Sequence, residues 1–239
     1  LVAWNLKMVL HIYIMTARVL DGTGSVELLG TFGDDLTVVN AARVSFAKES
    51  TVVDEKDVKL IKYLAKHNHI TPFFHPQVRL RLKMPIFVAR EWFRHTVGFA
   101  RNEVSRRYVD TVPEYYMPGV GDLRERDTNK KQGSKSNAVE GEELWRACIK
   151  KNCDETVELY EELLENGVAP EVARGILPQS MYTEFIETGS LYAYARLCRL
   201  RTDPQAQLEI RQYAEALSKM LLEKFPVSWG ALHSTSESP

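Results

Sequence analysis

The sequence predicts an α+β fold: a single domain in which a small mixed or antiparallel sheet packs against several helices. Three observations point there. Helical periodicity covers more of the chain than alternating periodicity, one segment switches sharply from the first to the second, and no internal repeat is present. At 239 residues the chain is long enough for one sizeable core.

The first strand is expected around Val26–Leu29. The segment "GDDLTVVNAARVSF" follows, opening on an aspartate cap and carrying apolar residues at helical spacing to about Phe46. "TVVDEKDVKLIKYLAKHNH" repeats the plan, with Asp54 as cap, Val58, Ile61, Leu64 and Ala65 as the buried stripe, and Asn68 as the stop. In "PQVRLRLKMP" the period becomes two: Val78, Leu80, Leu82 and Met84 share one face, Arg79, Arg81 and Lys83 the other. Pro85 suits the first turn of the next helix, "PIFVAREWFRHT", where a missing N–H is no loss. Val88, Ala89, Trp92 and Phe93 form its buried side, Gly98 marks its end, and Phe99–Tyr108 is expected to return as a loop.

From Asp122 to Glu143 the composition turns polar and apolar periodicity disappears, which predicts a long mobile surface loop. A long helix runs from about Glu142 to Asn166 and stops at Gly167. "PEVARGILP" is a short helix bracketed by Pro170 and Pro178, "MYTEFIET" alternates as a strand, and "SLYAYARLCRLR" returns to helix. Asp203 and Pro204 are expected to cap a last amphipathic helix reaching about Phe225.

With 44% hydrophobic and 26% charged residues the chain reads as globular, and a net charge of −1 argues against a general nucleic-acid binder. Cys148, Cys153 and Cys198 are too few for a disulfide framework, which favours a reducing, cytoplasmic setting. The apolar start "LVAWNLKMVLHIYIM" is interrupted by Asn5, Lys7 and His11 and is shorter than a bilayer span. Residues 1–14 therefore read as a leader, with residues 15–239 as the domain and no membrane segment.

Chemistry concentrates in three places. "HNHITPFFH" holds His67, His69 and His75 without metal-ligand spacing, so either a cofactor-facing loop or a capped helix end before the rigid Thr71–Pro72 turn accounts for it. "REWFRHTVGFARNEVSRRYVD" gathers five arginines, whose mutual repulsion favours an anionic partner such as phosphate or a carbonyl-rich base. Arg174 and Arg201 are the third, Arg201 standing directly before the Thr202–Asp203–Pro204 junction. These charges suit an enzyme site for a nucleotide or a binding module without catalysis. Phosphate-binding glycine loops, nucleophile elbows and HExxH are absent.

"RHTVGFARNEVSRRY" resembles the signature of flavin-dependent thymidylate synthases. "AARVSF", "HNHITPFFH", "PIFVAREWFRH", "EVARGILP", "YTEFIETGSL" and "LRTDPQAQLEIRQYA" follow in that family's order, over about Leu28 to Trp229. The resemblance implies methylation of dUMP to dTMP, with methylenetetrahydrofolate as carbon donor and FAD, reduced by NADPH, as hydride carrier. It further implies a homotetramer with active sites shared between chains, and no cysteine nucleophile.

By position, Arg201 matches the arginine that contacts the uracil ring and favours its ionisation. Glu91, Arg94, Glu103, Val104, Ser105, Arg106, Arg107 and Arg174 match dUMP-binding positions. Arg94, His95, Thr96, Asn102 and Glu103 match the flavin and folate site, with Ser45, Thr71, Ser190 and Arg196 expected to join it, and His69 matches a histidine beside both. This chain departs from the common pattern at Thr96, where the family's signature has a second arginine. Arg101 is the neighbouring arginine expected to replace that cation. Phe74, Glu91 and Gln205 stand where glutamate, glutamine and histidine are usual.

Overall fold

A computed structural model describes residues 15–109, 111–128 and 133–234. At its centre lies β3 (Gln77–Pro85), whose Val78, Leu80, Leu82 and Met84 are fully buried as the alternation predicts. Removing each from water contributes about 1.5–3 kcal/mol. On one side β3 pairs with β2 (Gly24–Phe32) and on the other with β7 (Tyr182–Ser190), in register from Gln77 opposite Ser190 to Pro85 opposite Tyr182. β1 (Met15–Val19) and β4 (Phe99–Glu103) are the short edges, giving a five-stranded sheet in the order β1-β2-β3-β7-β4 with every pair antiparallel.

Helices cover the apolar face. α1 (Asp35–Arg43) is followed by a single 3₁₀ turn, Val44–Phe46, and α2 (Glu55–Lys66) starts at an Asp54–Asp57 capping box. Asn68 ends the α2 segment in the left-handed region, as expected of an Asn stop. α3 (Ile86–Trp92) follows β3 directly. α4 (Glu142–Glu165) stops before Gly167, and α5 (Pro170–Ala173) continues as a 3₁₀ turn carrying Arg174. α6 (Leu191–Arg201) leaves β7 with the Ser190 hydroxyl accepting from the Ala193 amide, and α7 (Leu208–Lys224) and α8 (Pro226–Ser234) close the layer. Tyr213 of α7 donates its hydroxyl to the Lys83 carbonyl, 2.8 Å, tying that helix to the central strand.

Four expectations are corrected. α3 ends at Trp92 rather than Gly98, and the residues expected as a returning loop begin as strand β4, because their amides and carbonyls pair with the open edge of β7. α7 begins at Leu208, since the Asp203 carboxylate accepts from the Gln205 amide, 2.7 Å, and so closes a turn rather than capping a helix. The chain beyond Phe225 forms α8, with Pro226 in its first turn and its start held by the buried Asp35 carboxylate, which accepts from Val227 and Ser228 amides at 2.9 and 2.8 Å. The polar stretch near 122–143 contains a hairpin, β5 (Arg124–Arg126) against β6 (Ser134–Ala138), rather than only loop. The proposed 1–14 leader lies outside the described residues. Among the described residues no helix is long and apolar enough to cross a membrane.

Gly189 of β7 is where the edge strand rests. A Cβ there would come within 2.6 Å of the Phe99 ring, which is itself held edge-on against Tyr194 at 4.9 Å. Gly189→Ala should therefore loosen β4 and lower stability by about 1–3 kcal/mol, the usual range for overpacking, in a denaturant titration.

Candidate active site

The site begins where α3 runs out. Backbone turns carry the chain from Trp92 through Arg94, His95 and Thr96 before β4, so these side chains sit beyond a helix end and beside the last turn of α6. Arg201, in that last turn, donates from Nε to His95 Nε2 at 3.1 Å, from Nη1 to the Glu91 carboxylate at 3.2 Å and from Nη2 to the Glu91 carbonyl at 3.2 Å. A guanidinium has five N–H donors, so two are without a partner among the described residues.

His95 lies half-buried among cations. Removal from water and the charges of Arg201, Arg101, Arg196 and Arg94 hold its pKa down to about 4. The ring is therefore neutral at pH 7, and its Nε2 carries the lone pair that accepts from Arg201. Five of the sequence-predicted residues, Glu91, Arg94, His95, Arg196 and Arg201, are thus brought together, with Thr96 exposed beside them.

Glu91, Arg94 and Arg201 form part of the wall of a cavity of about 890 Å³. Apart from Gln205, the rest of the wall escaped the sequence reading. It is made by Arg124 and Ser134–Ser136 of the hairpin and by Gln205, Gln207, Glu209 and Arg211 around the start of α7. Arg124 donates to the buried Glu209 at 2.7 Å and to the Ser134 hydroxyl at 2.8 Å, fastening the hairpin to α7. A composition without apolar periodicity concealed this, because the hairpin is held by charge and hydrogen bonds rather than by a buried stripe.

The remaining predicted residues form two further groups. Glu103 accepts from the Thr183 hydroxyl at 2.6 Å, Asn102 is exposed on β4, and Val104 spends its amide on the Glu184 carbonyl at 2.8 Å. Arg106 donates to the Thr111 carbonyl, the Ser105 hydroxyl accepts from the Arg107 amide at 3.4 Å, and Arg107 faces Glu171 at 3.6 Å, on the α5 segment that leads to the exposed Arg174. None of Ser105, Arg106, Arg107 and Arg174 lines the cavity. Ser45, His69 and Thr71 are exposed around the α1 and α2 ends, where the Thr71–Phe74 turn is tied to α6 by a Phe74–Tyr192 edge contact of 5.2 Å. Ser190 is buried as the α6 cap.

Arg101 is corrected in role. Rather than reaching outward beside Thr96, it turns inward to an ion pair with Glu187 and a hydrogen bond to the His95 carbonyl. The cysteines stand apart: Cys148 is exposed on α4, Cys153 and Cys198 are buried, and none lines the cavity. Burial pushes the Cys198 thiol well above its usual range.

Residues 27–227 match the model of the thymidylate synthase complementing protein family, and the chain belongs to that family. It is 41% identical over 217 residues to the flavin-dependent thymidylate synthase of Thermus thermophilus, covering 91% of this chain and 78% of that protein. It is 40% identical over 220 residues to the flavin-dependent thymidylate synthase of Thermosipho africanus, covering 91% and 93%. Among solved structures it resembles the UMP/dUMP methylase PolB from Streptomyces cacaoi bound with 5-Br dUMP. The TM-score is 0.78 at 30% identity, covering 87% of this chain and 94% of that one.

A histidine that folds in the neutral form makes stability fall in acid. The unfolded ring takes a proton near pH 6.5 and the folded one only near 4, so stability should be full above 6.5 and decline as pH falls towards 4. Denaturant titrations across that range, compared with His95→Gln, measure it; the variant should lose part of the slope.

Proposed function

We propose that this chain is a flavin-dependent thymidylate synthase that methylates dUMP to dTMP. Methylenetetrahydrofolate is the carbon donor, and FAD, reduced by NADPH, carries the hydride. The observation that supports it most is Arg201, pinned by His95 and Glu91 with two N–H donors free, on the wall of a cation-lined cavity in a chain of this family. A guanidinium fixed in that way suits a uracil carbonyl on which negative charge develops, because it needs no reorganisation as the charge appears. Glu91, beside it, can accept from a nucleotide N–H or O–H group and keeps Arg201 from swinging away.

The donor set fits a flavin dinucleotide. Arg94, Thr96, Asn102 and Arg196 are exposed near His95 or on the adjoining strand, and Ser45, His69 and Thr71 are exposed at the turn packed on α6, so hydroxyls, cations and an amide are available to pyrophosphate and ring atoms. FAD, when bound there, would supply reversible hydride transfer. Thr96 offers a hydroxyl where the family signature carries a cation, which leaves Arg94 and Arg196 as the charges on this side.

Ser105, Arg106, Arg107 and Arg174 suit a nucleotide phosphate, yet they lie outside the Arg201 cavity. That separation supports a homotetramer in which one chain's Ser105–Arg107 loop completes a neighbour's Arg201 cavity. The burial of Cys153 and Cys198, and a cavity lining that does not include Cys148, favour chemistry without a thiol nucleophile on the ring. The net charge of −1 and the absence of a membrane-crossing helix among the described residues accord with an enzyme of the cytoplasm acting on small anions.

Purified protein reconstituted with FAD should show flavin absorbance and form dTMP from dUMP, methylenetetrahydrofolate and NADPH. No flavin and no dTMP would refute the proposal. Arg201→Ala should lower turnover by about 10²–10³ with flavin absorbance and the unfolding midpoint retained. Arg107→Ala should raise KM for dUMP more than it lowers kcat, and Cys148→Ser should leave both unchanged.

A further inference from the structure

Glu187 is a carboxyl group with none of its surface exposed, in the middle of β7, where burial pushes its pKa up. Such a group is strongly unfavourable unless paired. Tyr194 turns its hydroxyl towards it, and two further side chains pair with it. Trp92 donates its indole N–H at 3.1 Å, and Arg101, its direct cross-strand partner on β4, forms an ion pair through Nε. The Arg101 guanidinium is held between two rings, its carbon 4.9 Å from the Phe99 centroid and 5.3 Å from that of Phe93. With Nε engaged, the same fork directs Nη2 onto the carbonyl of His95.

His95 stands on the short segment between α3 and β4, with its amide bonded to the Trp92 carbonyl at 3.1 Å. Its carbonyl is therefore fixed from β4 and its amide from α3, and its ring takes the Nε–H of Arg201. A line of hydrogen bonds runs from the sheet interior to the cavity wall: Glu187 to Arg101, Arg101 to the His95 backbone, the His95 ring to Arg201. We propose that Arg101 and Glu187 are positioning residues, which hold the His95 segment and through it set the orientation of Arg201 towards substrate. The consequence for substrate rests on the reading of Arg201 as the uracil-binding arginine; the consequence for His95 does not.

The alternative is an ion pair that merely supports the β4–β7 edge. Arg101→Lys separates the two. Lysine keeps a positive charge against Glu187, so the carboxylate stays paired, but a single ammonium cannot reproduce the fork that also reaches the His95 carbonyl. His95 faces Arg94 and Arg196 besides Arg101 and Arg201, with Glu91 across Arg201, and all of these charges persist in the variant. A rise of the His95 titration midpoint from about 4 towards 6.5, read by NMR of the imidazole, would therefore report loosening of the segment rather than loss of charge.

The expected result for Arg101→Lys is a raised His95 midpoint, dUMP binding weakened about tenfold, the scale of one charge-assisted hydrogen bond, and an unfolding midpoint close to the parent's. In an Arg201→Ala background the same substitution should add no further loss of dUMP affinity, because the residue it positions is gone. An unchanged His95 midpoint, or an equal loss with and without Arg201, would overturn the proposal. Should Arg101→Lys fail to fold, Glu187→Gln, which keeps an acceptor for Trp92, is read in the same two ways. If the parent protein binds no dUMP, the functional reading fails while the His95 titration still decides whether the segment is positioned from β7.

Discussion

The pairing of β3 with β7 is the constraint on which the rest of the molecule depends. Nine residues of each strand lie opposite one another without a bulge, so the faces of both strands are set together and every side chain on them is committed to core or to the open face. β3 contributes Val78, Leu80, Leu82 and Met84 to the core. β7 contributes Thr183, Phe185 and Glu187, so a charge enters the interior as a direct result of the register that buries its neighbours. Helices follow from the ends of this pair: α3 from β3 and α6 from β7. Because the strands are antiparallel, the two helices leave from opposite ends. The end of α3 and the end of α6 nonetheless meet through Glu91 and Arg201, which is where the cavity forms.

Much of the fold was legible because it is written in periodicity. The alternation of residues 78–84, the Asp54 cap and the Gly167 stop each correspond to a local physical requirement that single residues announce. What escaped reading was decided by distant partners. β4 has no strong pattern, and becomes a strand because β7 offers an unpaired edge. α8 starts where Asp35, almost two hundred positions away, supplies its cap. The hairpin of β5 and β6 is fastened by Arg124 to Glu209, a pair no spacing rule connects.

The site divides in the same way. Arg94 could be singled out from residue type, since clustered guanidiniums imply an anionic partner, whereas His95 and Arg201 took their roles from the family resemblance. Their roles relative to one another could be read from neither, because they depend on which cation turns outward and which inward. Arg101 is the instructive residue: by charge alone it belongs with the ligand contacts, yet the buried carboxylate on β7 claims it first. A signal for that existed. In "TEFIET" the alternation that buries Phe185 also places Glu187 on the core face, and an acidic residue at a core position requires a cation nearby.

α6 presents its carbonyl end to the cavity, and an α-helix carries roughly half a negative charge at that end. For an anionic ligand this is the unfavourable pole, unlike the N-terminal poles that many phosphate sites use. Arg199 and Arg201 in the last turn of α6 offset that pole, and Arg94, from beyond α3, adds a cation at the cavity wall. The crowding of arginines is thus in part a reversal of sign. An anion held against that end of a helix would require more positive charge than it would elsewhere, and those charges add to burial in keeping His95 unprotonated.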